Sequence, residues 1–407
     1  MRKLWSEYSR EFKLLFFTWL LVGITSGIND TVFSNYLHDI FHVSPEVRGL
    51  LELPREFPGF VIAIVSGLLM FMADVRMLGV AVGLTALGMW GQSFYLWHGQ
   101  PQFAWMITSM VVWSTGAHLF MPLSSSVTLR LSKEGEMGKN LGLLNGAQTA
   151  ASIIGCLIIW IVMGWLKMDY RLVFTLAAFF GLLGMICAFT MKIQHQPAHS
   201  GMKVRLLWRK EYSLFYWLSI LYGARKQVFL TFAPWVIVQV FNQKASVMAA
   251  LMFISAVIGI FFKPWLGWLI DRVGERKVIT WEAIAFIGVC FGYTLANHIG
   301  LGENAIYLVF TCYIVDLLLS SVAMARTTYI HKHLIDSNDL TPTLSMGVSL
   351  DHMVAMSIPI LGGLLWARFG FESIFITAAL ISFANILIAH RMKEPVAAAV
   401  QLPAAGS

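Results

Sequence analysis

Ionisable side chains interrupt the long apolar runs of this 407-residue chain at a small number of positions. An ionisable group at bilayer depth costs several kcal/mol unless it is paired or faces water, so each one marks a candidate functional position. Carboxylates there can carry protons, guanidinium and ammonium groups can hold anionic solutes, and histidines titrate near neutrality. The candidate solute-binding residues are Asp30, Arg55, His118, Arg225, Lys226, Asp316, Asp351 and His352.

The three aspartates have two possible roles. Burial of a carboxylate favours its protonated form, so Asp30, Asp316 and Asp351 are candidates for proton coupling. The alternative for each is a structural ion pair with a deep base, either Arg225, Lys226 or Arg326. His118 also has two possible roles. It either contacts the solute or is a hydrogen-bonded structural residue of its helix.

Two groups of charges lie close together along the sequence. Glu52, Arg55 and Glu56 have helical spacing, which predicts either an ion-pair cluster that fastens the second helix to a neighbour or a contact with the solute. Arg225 and Lys226 are consecutive and therefore point about 100° apart on a helix. We expect one to face a cavity and the other to pair with Asp30, Asp316 or Asp351.

Composition indicates the elements that carry these residues. The chain is 57% hydrophobic and 13% charged, with a mean hydropathy of +0.70, which excludes a water-soluble domain. Apolar runs long enough to cross a bilayer predict twelve helices. Their predicted limits are 14–40, 46–72, 77–97, 103–130, 140–165, 171–191, 213–240, 246–270, 278–298, 304–330, 343–366 and 371–391.

The basic residues predict an orientation. Of 29 Lys and Arg residues, 21 lie at one set of helix ends, which includes both termini. The excess of basic residues places both termini in the cytoplasm of a multi-pass protein of the cell (inner or plasma) membrane. The opposite ends hold only five, namely Arg48, Lys167, Arg171, Lys244 and Arg368.

The remaining sequence signals are negative. The four cysteines fall inside apolar runs and are expected to be free thiols. No metal-ligand spacing, cofactor motif or nucleophile–base set is recognisable, so we expect no cofactor and no enzyme. The net charge of +7 is explained by cytoplasmic loops that face lipid head groups, without nucleic acid, and a monomer is expected.

The tight turn between the eighth and ninth predicted helices carries a recognisable pattern. Gly267-x-x-x-Asp271-Arg272-x-Gly274-x-Arg276-Lys277 resembles the signature loop of the major facilitator superfamily of secondary transporters. A degenerate copy ends the second predicted helix at Asp74 and Arg76. The resemblance implies a gating role for the residues of both copies, Asp74, Arg76, Gly267, Asp271, Arg272, Gly274, Arg276 and Lys277.

The resemblance also implies a fold. It is an all-α integral membrane protein with twelve transmembrane helices in two pseudo-symmetric six-helix bundles, which rock around a central site. The expected divisions are a first bundle over 1–191, a cytoplasmic linker over 192–212, a second bundle over 213–392 and a disordered tail over 393–407. Helices one, four, seven and ten should line the cavity. Helices three, six, nine and twelve should face lipid and carry no deep charge.

The kind of transport remains open between two alternatives. Proton-driven drug antiporters of the superfamily carry Gly-Pro-x-x-Gly-Gly in helix five, whereas the corresponding run from Gly142 to Gly155 has no proline. This departure, together with the deep bases, favours proton-coupled symport of a small polar, anionic organic solute. The alternative is proton-driven efflux of a drug, amphiphile or lipid.

Overall fold

A computed structural model describes residues 8–71, 75–132, 136–192, 207–336 and 339–392. Three sequence predictions lie wholly or mainly outside the described residues: the role of Asp74, most of the linker 192–212, and the tail 393–407.

The described residues form twelve long helices, as the sequence predicts, and we number them α1 to α12. Helix α10 is interrupted by a 3-10 turn at Ser320–Val322. The bounds are α1 Arg10–Phe41, α2 Glu52–Phe71, α3 Val75–Ser93, α4 Phe103–Leu131, α5 Met137–Ile159, α6 Tyr170–Thr190, α7 Ser213–Trp235, α8 Ala245–Val273, α9 Glu275–Leu295, α10 Ala305–Leu319 and Ala323–Lys332, α11 Leu340–Phe369, and α12 Glu372–Ala389.

Short elements occupy several connections. A six-residue helix, Pro45–Leu50, precedes α2, and β1 (Leu96–Trp97) pairs antiparallel with β2 (Gln100–Pro101) between α3 and α4. Single π-helical turns extend α5 and α7, and 3-10 turns precede α7 and α10. These turns are Trp160–Trp165, Val236–Val240, Lys210–Tyr212 and Gly302–Asn304.

The helices have the length and surface of membrane spans. Within the described ranges, nine are long and apolar enough to cross a bilayer. Large apolar side chains such as Trp90, Phe179 and Phe261 are exposed on their outer surfaces. Such a surface suits hydrocarbon, because a soluble protein rarely exposes extensive apolar patches.

Glycines bring α1 and α5 into backbone contact. A Cβ atom added at Gly155 of α5 would lie 2.7 Å from the carbonyl oxygen of Ile24 and 2.8 Å from the backbone nitrogen of Ile28. A Cβ at Gly23 of α1 would lie 2.9 Å from Ala151 Cβ. This close approach fixes the angular position of α5 and therefore which of its residues face the second six helices.

The two six-helix halves, α1–α6 and α7–α12, contact each other at the end of the bundle away from residues 8 and 392, which we call the far end. There the Asn35 amide donates to the Gln243 carbonyl oxygen at 2.8 Å. A Cβ at Gly164 would lie 3.2 Å from Ser246 Cβ, and one at Gly363 would lie 2.6 Å from the carbonyl oxygen of Pro45. These contacts close the far end.

The opposite end, which carries residues 8 and 392, we call the terminal end. Gly142 and Gly146 of α5 share a helical face with Thr149, which lines the space between the halves. A Cβ at either glycine would have no atom within 4 Å outside its own helix neighbourhood. Among the described residues, the halves therefore leave open space beside these two glycines at the terminal end.

Candidate functional site

Glu52 is the centre of an ion-pair cluster at the start of α2. Its side chain is fully buried, with 0% exposed. It accepts hydrogen bonds from Arg48 at 2.5 Å, from Arg55 at 2.6 Å and from the Gln227 amide of α7 at 2.8 Å. Arg55, a predicted solute-binding residue, is thereby held by carboxylates, and the cluster joins the first half to α7.

Arg48 is a buried member of this cluster. The sequence places it at the helix ends opposite the termini, and there its residue is 3% exposed and its guanidinium is enclosed with Glu52. The short helix Pro45–Leu50 that carries it packs against α11, and the guanidinium lies 6.0 Å from the centroid of the Trp235 ring of α7.

Glu56 brings His118 of α4 and His352 of α11 together. Its Oε1 atom pairs with Arg55 at 2.9 Å. Its Oε2 atom lies 3.0 Å from His352 Nδ1 and 3.8 Å from His118 Nε2. The two imidazole rings meet edge to face with centroids 5.1 Å apart. Glu56 is the residue through which these two predicted site histidines, one from each half, become neighbours.

Arg225 and Lys226 point in different directions, as their spacing requires, and both have carboxylate partners. Lys226 pairs with Asp351 of α11, one of the three predicted acids. Arg225 pairs with Glu282 of α9, which the sequence interpretation missed. The expectation that helix nine carries no deep charge is therefore wrong, since Glu282 is 5% exposed and Arg225 is 3% exposed.

Glu282 had a detectable signal in the sequence. Helix α9 buries one stripe, packed chiefly against α12, and Glu282 lies on that stripe with Val278, Phe286 and Cys290 at helical spacing. The Arg225 guanidinium lies 4.2 Å from the centroid of the Phe286 ring. The assumption that helix nine faces only lipid concealed this partner.

A cavity of about 180 Å³ lies between the halves. Asp30 contributes to its wall from α1, and its carboxylate accepts a hydrogen bond from the Asn29 amide at 3.3 Å. Lys263 contributes from α8, although the sequence placed it at a cytoplasmic helix end. The remaining wall is Gly27, Thr149, Ser152, Cys156, Met252, Ser255, Ala256, Gly259, Leu317 and Leu318.

Asp316 is separate from this wall. It is half-buried on α10, within electrostatic range of Arg225. In the described part of the chain its side chain has no ion pair or hydrogen bond. Arg326, a suggested partner for the acids, instead lies 3.6 Å from the centroid of the Tyr222 ring.

The signature turn lies at the terminal end, away from the cavity. Gly274 has φ +88°, a conformation that glycine adopts without strain, and it ends α8 one residue before α9 begins. Glu275 pairs with Lys332 of α10 at 2.6 Å. Arg272 lies over the Trp268 ring at 5.1 Å.

The other gating candidates that the structure describes differ in exposure. Asp271, Lys277 and Arg76 are exposed, and Arg276 is half-buried. A Cβ at Gly267 would have no neighbour within 4 Å. Their gating role remains a prediction, and the turn is free to meet other groups when the terminal end closes.

Solved transporter structures share this fold at low sequence identity. A nucleoside transporter, NupG, superposes with a TM-score of 0.71 at 12% identity, covering 94% of this chain and 98% of that one. A D-xylose–proton symporter gives 0.71 at 14% identity, covering 94% and 97%. A POT family transporter in complex with 5-aminolevulinic acid gives 0.72 at 11% identity, covering 94% and 95%.

Sequence comparisons give two further findings. A comparison with curated protein sequences gave no significant match. The family description Major Facilitator Superfamily matches residues 15–339, which is most of the chain. By this match and its twelve helices, the chain belongs to the major facilitator superfamily and is a multi-pass secondary transporter, not an enzyme.

Proposed function

We propose that this transporter moves a small polar organic solute with an anionic group, together with protons, by alternating access. The observation that carries the proposal is the cavity wall, where Asp30 comes from the first half and Lys263 from the second. A solute held between two such groups contacts both halves, so their relative movement changes its access to the two sides of the membrane.

Lys263 is suited to bind the anionic group. Arg48, Arg55, Arg225 and Lys226 already have carboxylate partners. Lys263 lies on the cavity wall with no ion pair among the residues that the structure describes. An ammonium group that is not neutralised by the protein is the one that an incoming anion can pair with.

The size and lining of the cavity favour a small solute. Its volume of about 180 Å³ is below the ~300–1,000 Å³ of typical drug pockets. Thr149 and Ser152 of α5 and Ser255 of α8 supply hydroxyl groups to the wall. This supports a small metabolite over the alternative of a drug, amphiphile or lipid.

Asp30 is suited to carry the proton. It is exposed, and Cys156 of α5 and Lys263 of α8 line the same cavity. Arg55 of α2 and Tyr313 of α10 lie within electrostatic range of it. A carboxylate on the wall of a cavity that alternately meets water on each side can take up and release a proton in each cycle.

The excess of basic residues supports a cytoplasmic terminal end. In that orientation the cavity of this conformation opens towards the cytoplasm. The membrane is then the inner or plasma membrane of the cell. The signature turn then lies on the cytoplasmic side, where it would close the gate when the far end opens.

The first experiment is uptake into proteoliposomes from a panel of small carboxylates, phosphates and neutral solutes, with and without a pH gradient that is acidic outside. Accumulation of an anionic solute that depends on the gradient supports the proposal. Movement of head-group-labelled lipid or an amphiphilic dye, with no solute of the panel transported, contradicts it.

Two variants assign the roles once a solute is found. Lys263→Gln should raise KM for the anion by roughly ten- to a hundredfold, because one charge-assisted contact is lost. Lys167→Gln, at the far end, should leave KM unchanged. Asp30→Asn should abolish gradient-driven accumulation but spare solute counterflow. Normal accumulation by Asp30→Asn, with loss in Asp316→Asn, would transfer the coupling role to Asp316.

A further inference from the structure

Glu56, His118 and His352 place three potential metal ligands in one small volume where the halves meet. One carboxylate oxygen and one nitrogen from each ring all lie within 4.8 Å of one another. Ligand atoms around a tetrahedral zinc ion, with bonds of ~2.0–2.1 Å, are about 3.3 Å apart. Small side-chain rotations therefore suffice to bring all three atoms to one ion.

His118 is oriented in the manner of a metal ligand. Its Nδ1 atom lies 2.8 Å from the Ser114 carbonyl oxygen, which can only accept, so Nδ1 carries the proton. The Nε2 atom, on the other side of the ring, faces Glu56 Oε2 at 3.8 Å. A cation placed between these two atoms would contact both, and a backbone carbonyl on the other ring nitrogen is the usual support for a metal-binding histidine.

Gly59 makes room for both rings. It lies three residues after Glu56 and so on the same face of α2. A Cβ atom there would be 2.6 Å from His118 Nε2 and 2.6 Å from His352 Cε1. The absence of a side chain at this position allows the carboxylate and the two imidazoles to share one space.

The local charges leave one oxygen of Glu56 for the ion. Arg55 pairs with Oε1 at 2.9 Å, while Oε2 faces the histidines and accepts a hydrogen bond from His352 Nδ1 at 3.0 Å. A bound ion replaces this hydrogen bond, and the Nδ1 proton is released to solvent or moves to Nε2. Arg48 and Arg55 are balanced by Glu52 and Glu56, so the cluster has no net positive charge that excludes a cation. The side chains of His118 and His352 are 14% and 15% exposed, so an ion can reach them.

We propose that Glu56, His118 and His352 bind a divalent transition-metal ion of the zinc class, with water at the fourth position. Two imidazoles and a carboxylate are the donors that such an ion accepts. Because His352 belongs to the second half and the other two ligands to the first, the bound ion fastens the halves in the conformation closed at the far end. Metal binding therefore inhibits the transport cycle.

The test is metal binding to purified, tag-free protein in detergent after treatment with a chelator. Zn²⁺ is titrated calorimetrically, and Co²⁺ is used as a probe whose visible absorption reports its coordination. The wild type should bind one ion per chain, and His118→Ala and His352→Ala should each weaken binding by at least about a hundredfold. His390→Ala is the matched control, because His390 makes the same Nδ1 contact with a carbonyl four residues earlier, at 2.8 Å, outside the cluster.

Gly59→Ala provides a second test that retains all three ligands. The added methyl group displaces both rings, so the affinity should fall at least about tenfold while the protein remains folded by thermal melting. If His352→Ala does not fold, Gly59→Ala and His118→Gln decide the question. Wild-type protein that binds no Zn²⁺ or Co²⁺, or binding that survives these substitutions unchanged, would overturn the proposal.

The inhibitory effect has its own measurement. Zn²⁺ should raise the melting temperature of the wild type but not of His352→Ala. In proteoliposomes it should slow wild-type uptake and leave the uptake of His352→Ala, where that variant transports, unaffected. Binding that slows neither uptake nor unfolding would overturn the claim that the ion fastens the halves. The binding test needs no solute, so it stands or fails independently of the proposed transport function.

Discussion

At the scale of single residues, the deep ion pairs differ in how far they are removed from solvent. Arg225 and Glu282 have side chains that are 3% and 5% exposed, whereas those of Lys226 and Asp351 are 25% and 24% exposed. A buried pair costs much more to break than an exposed one, because the partner left behind is an uncompensated charge. The two pairs share α7 and therefore form a natural comparison.

Glu282→Gln should destabilise the protein by about 3–5 kcal/mol, since it leaves the Arg225 guanidinium buried without its carboxylate. The measurement is the free energy of unfolding in a detergent–denaturant titration. The double variant Arg225→Met with Glu282→Leu should recover most of this loss, because it removes both charges and retains apolar volume.

The control is Lys226→Met, which breaks the more exposed pair. Solvent screens the charge of Asp351 that remains, so the loss should be smaller than that of Glu282→Gln. Equal losses for the two single variants would show that burial does not decide the energy of these pairs.

At the scale of elements, the positions of the helices can be predicted from the apolar runs of the sequence, whereas the interruptions within helices cannot. The hydropathy of the eighth run predicts 246–270, and α8 extends over Ala245–Val273, because apolar length alone sets a span. The predicted run 304–330 is instead broken by the 3-10 turn Ser320–Val322, where no glycine or proline indicates it. The Tyr222 hydroxyl donates to the Ser320 carbonyl oxygen at 3.0 Å, so a contact with another helix accompanies the interruption.

The same limit applies to the candidate site. The sequence predicted Arg225, Lys226 and Asp351 as deep residues, because a charged residue within an apolar run can be recognised without knowing the fold. It predicted that one of the two bases pairs with one of the three aspartates, as Lys226 does with Asp351, but it did not indicate Glu282 as the partner of Arg225. That pairing depends on how α7 and α9 are rotated about their axes. That rotation is set by side-chain packing such as the contact of Arg225 with Phe286. It also missed Lys263, which was counted at a helix end although it lies well inside α8 and lines the cavity.

The backbone contact between α1 and α5 gives a prediction at this scale. Gly155→Ala should lower the free energy of unfolding by roughly 1–3 kcal/mol, because the new methyl group meets the backbone of Ile24 and Ile28. Gly142→Ala on the same helix is the matched control. It gains helix propensity in open space and should be neutral or stabilising by up to about 1 kcal/mol. A loss for Gly142→Ala as large as that for Gly155→Ala would contradict the packing explanation.

At the scale of the whole molecule, the contacts of the far end define one state of a moving assembly. Gly164 extends from the first half towards Ser246 of the second, while the space beside Gly142 and Gly146 is open. Opening of the far end requires the first of these contacts to separate. A covalent link at that point should therefore stop the cycle without unfolding either half.

The double variant Gly164→Cys with Ser246→Cys should form a disulfide under oxidation, because the Cβ atoms would be about as close as the ~3.8 Å that a disulfide requires. Oxidation should abolish uptake, and a reductant should restore it. The control pair, Gly91→Cys with Ser109→Cys, joins α3 to α4 within the first half, where the corresponding separation is 3.0 Å. Persistent uptake by the oxidised Gly164–Ser246 variant would show that the far end need not open.

The deep ion pairs have an electrical consequence. They are Arg48 with Glu52, Arg55 with Glu56, Arg225 with Glu282, and Lys226 with Asp351. Each pair lies within one half, so a rocking half carries these charges through the membrane field as neutral units. An unpaired unit charge would cost about 2.3 kcal/mol for each 100 mV crossed. Under the proposed function, with Asp30 protonated and Lys263 bound to a monovalent anion, the loaded cycle would move no current. A cell whose membrane is depolarised would then still concentrate the solute from a pH difference alone.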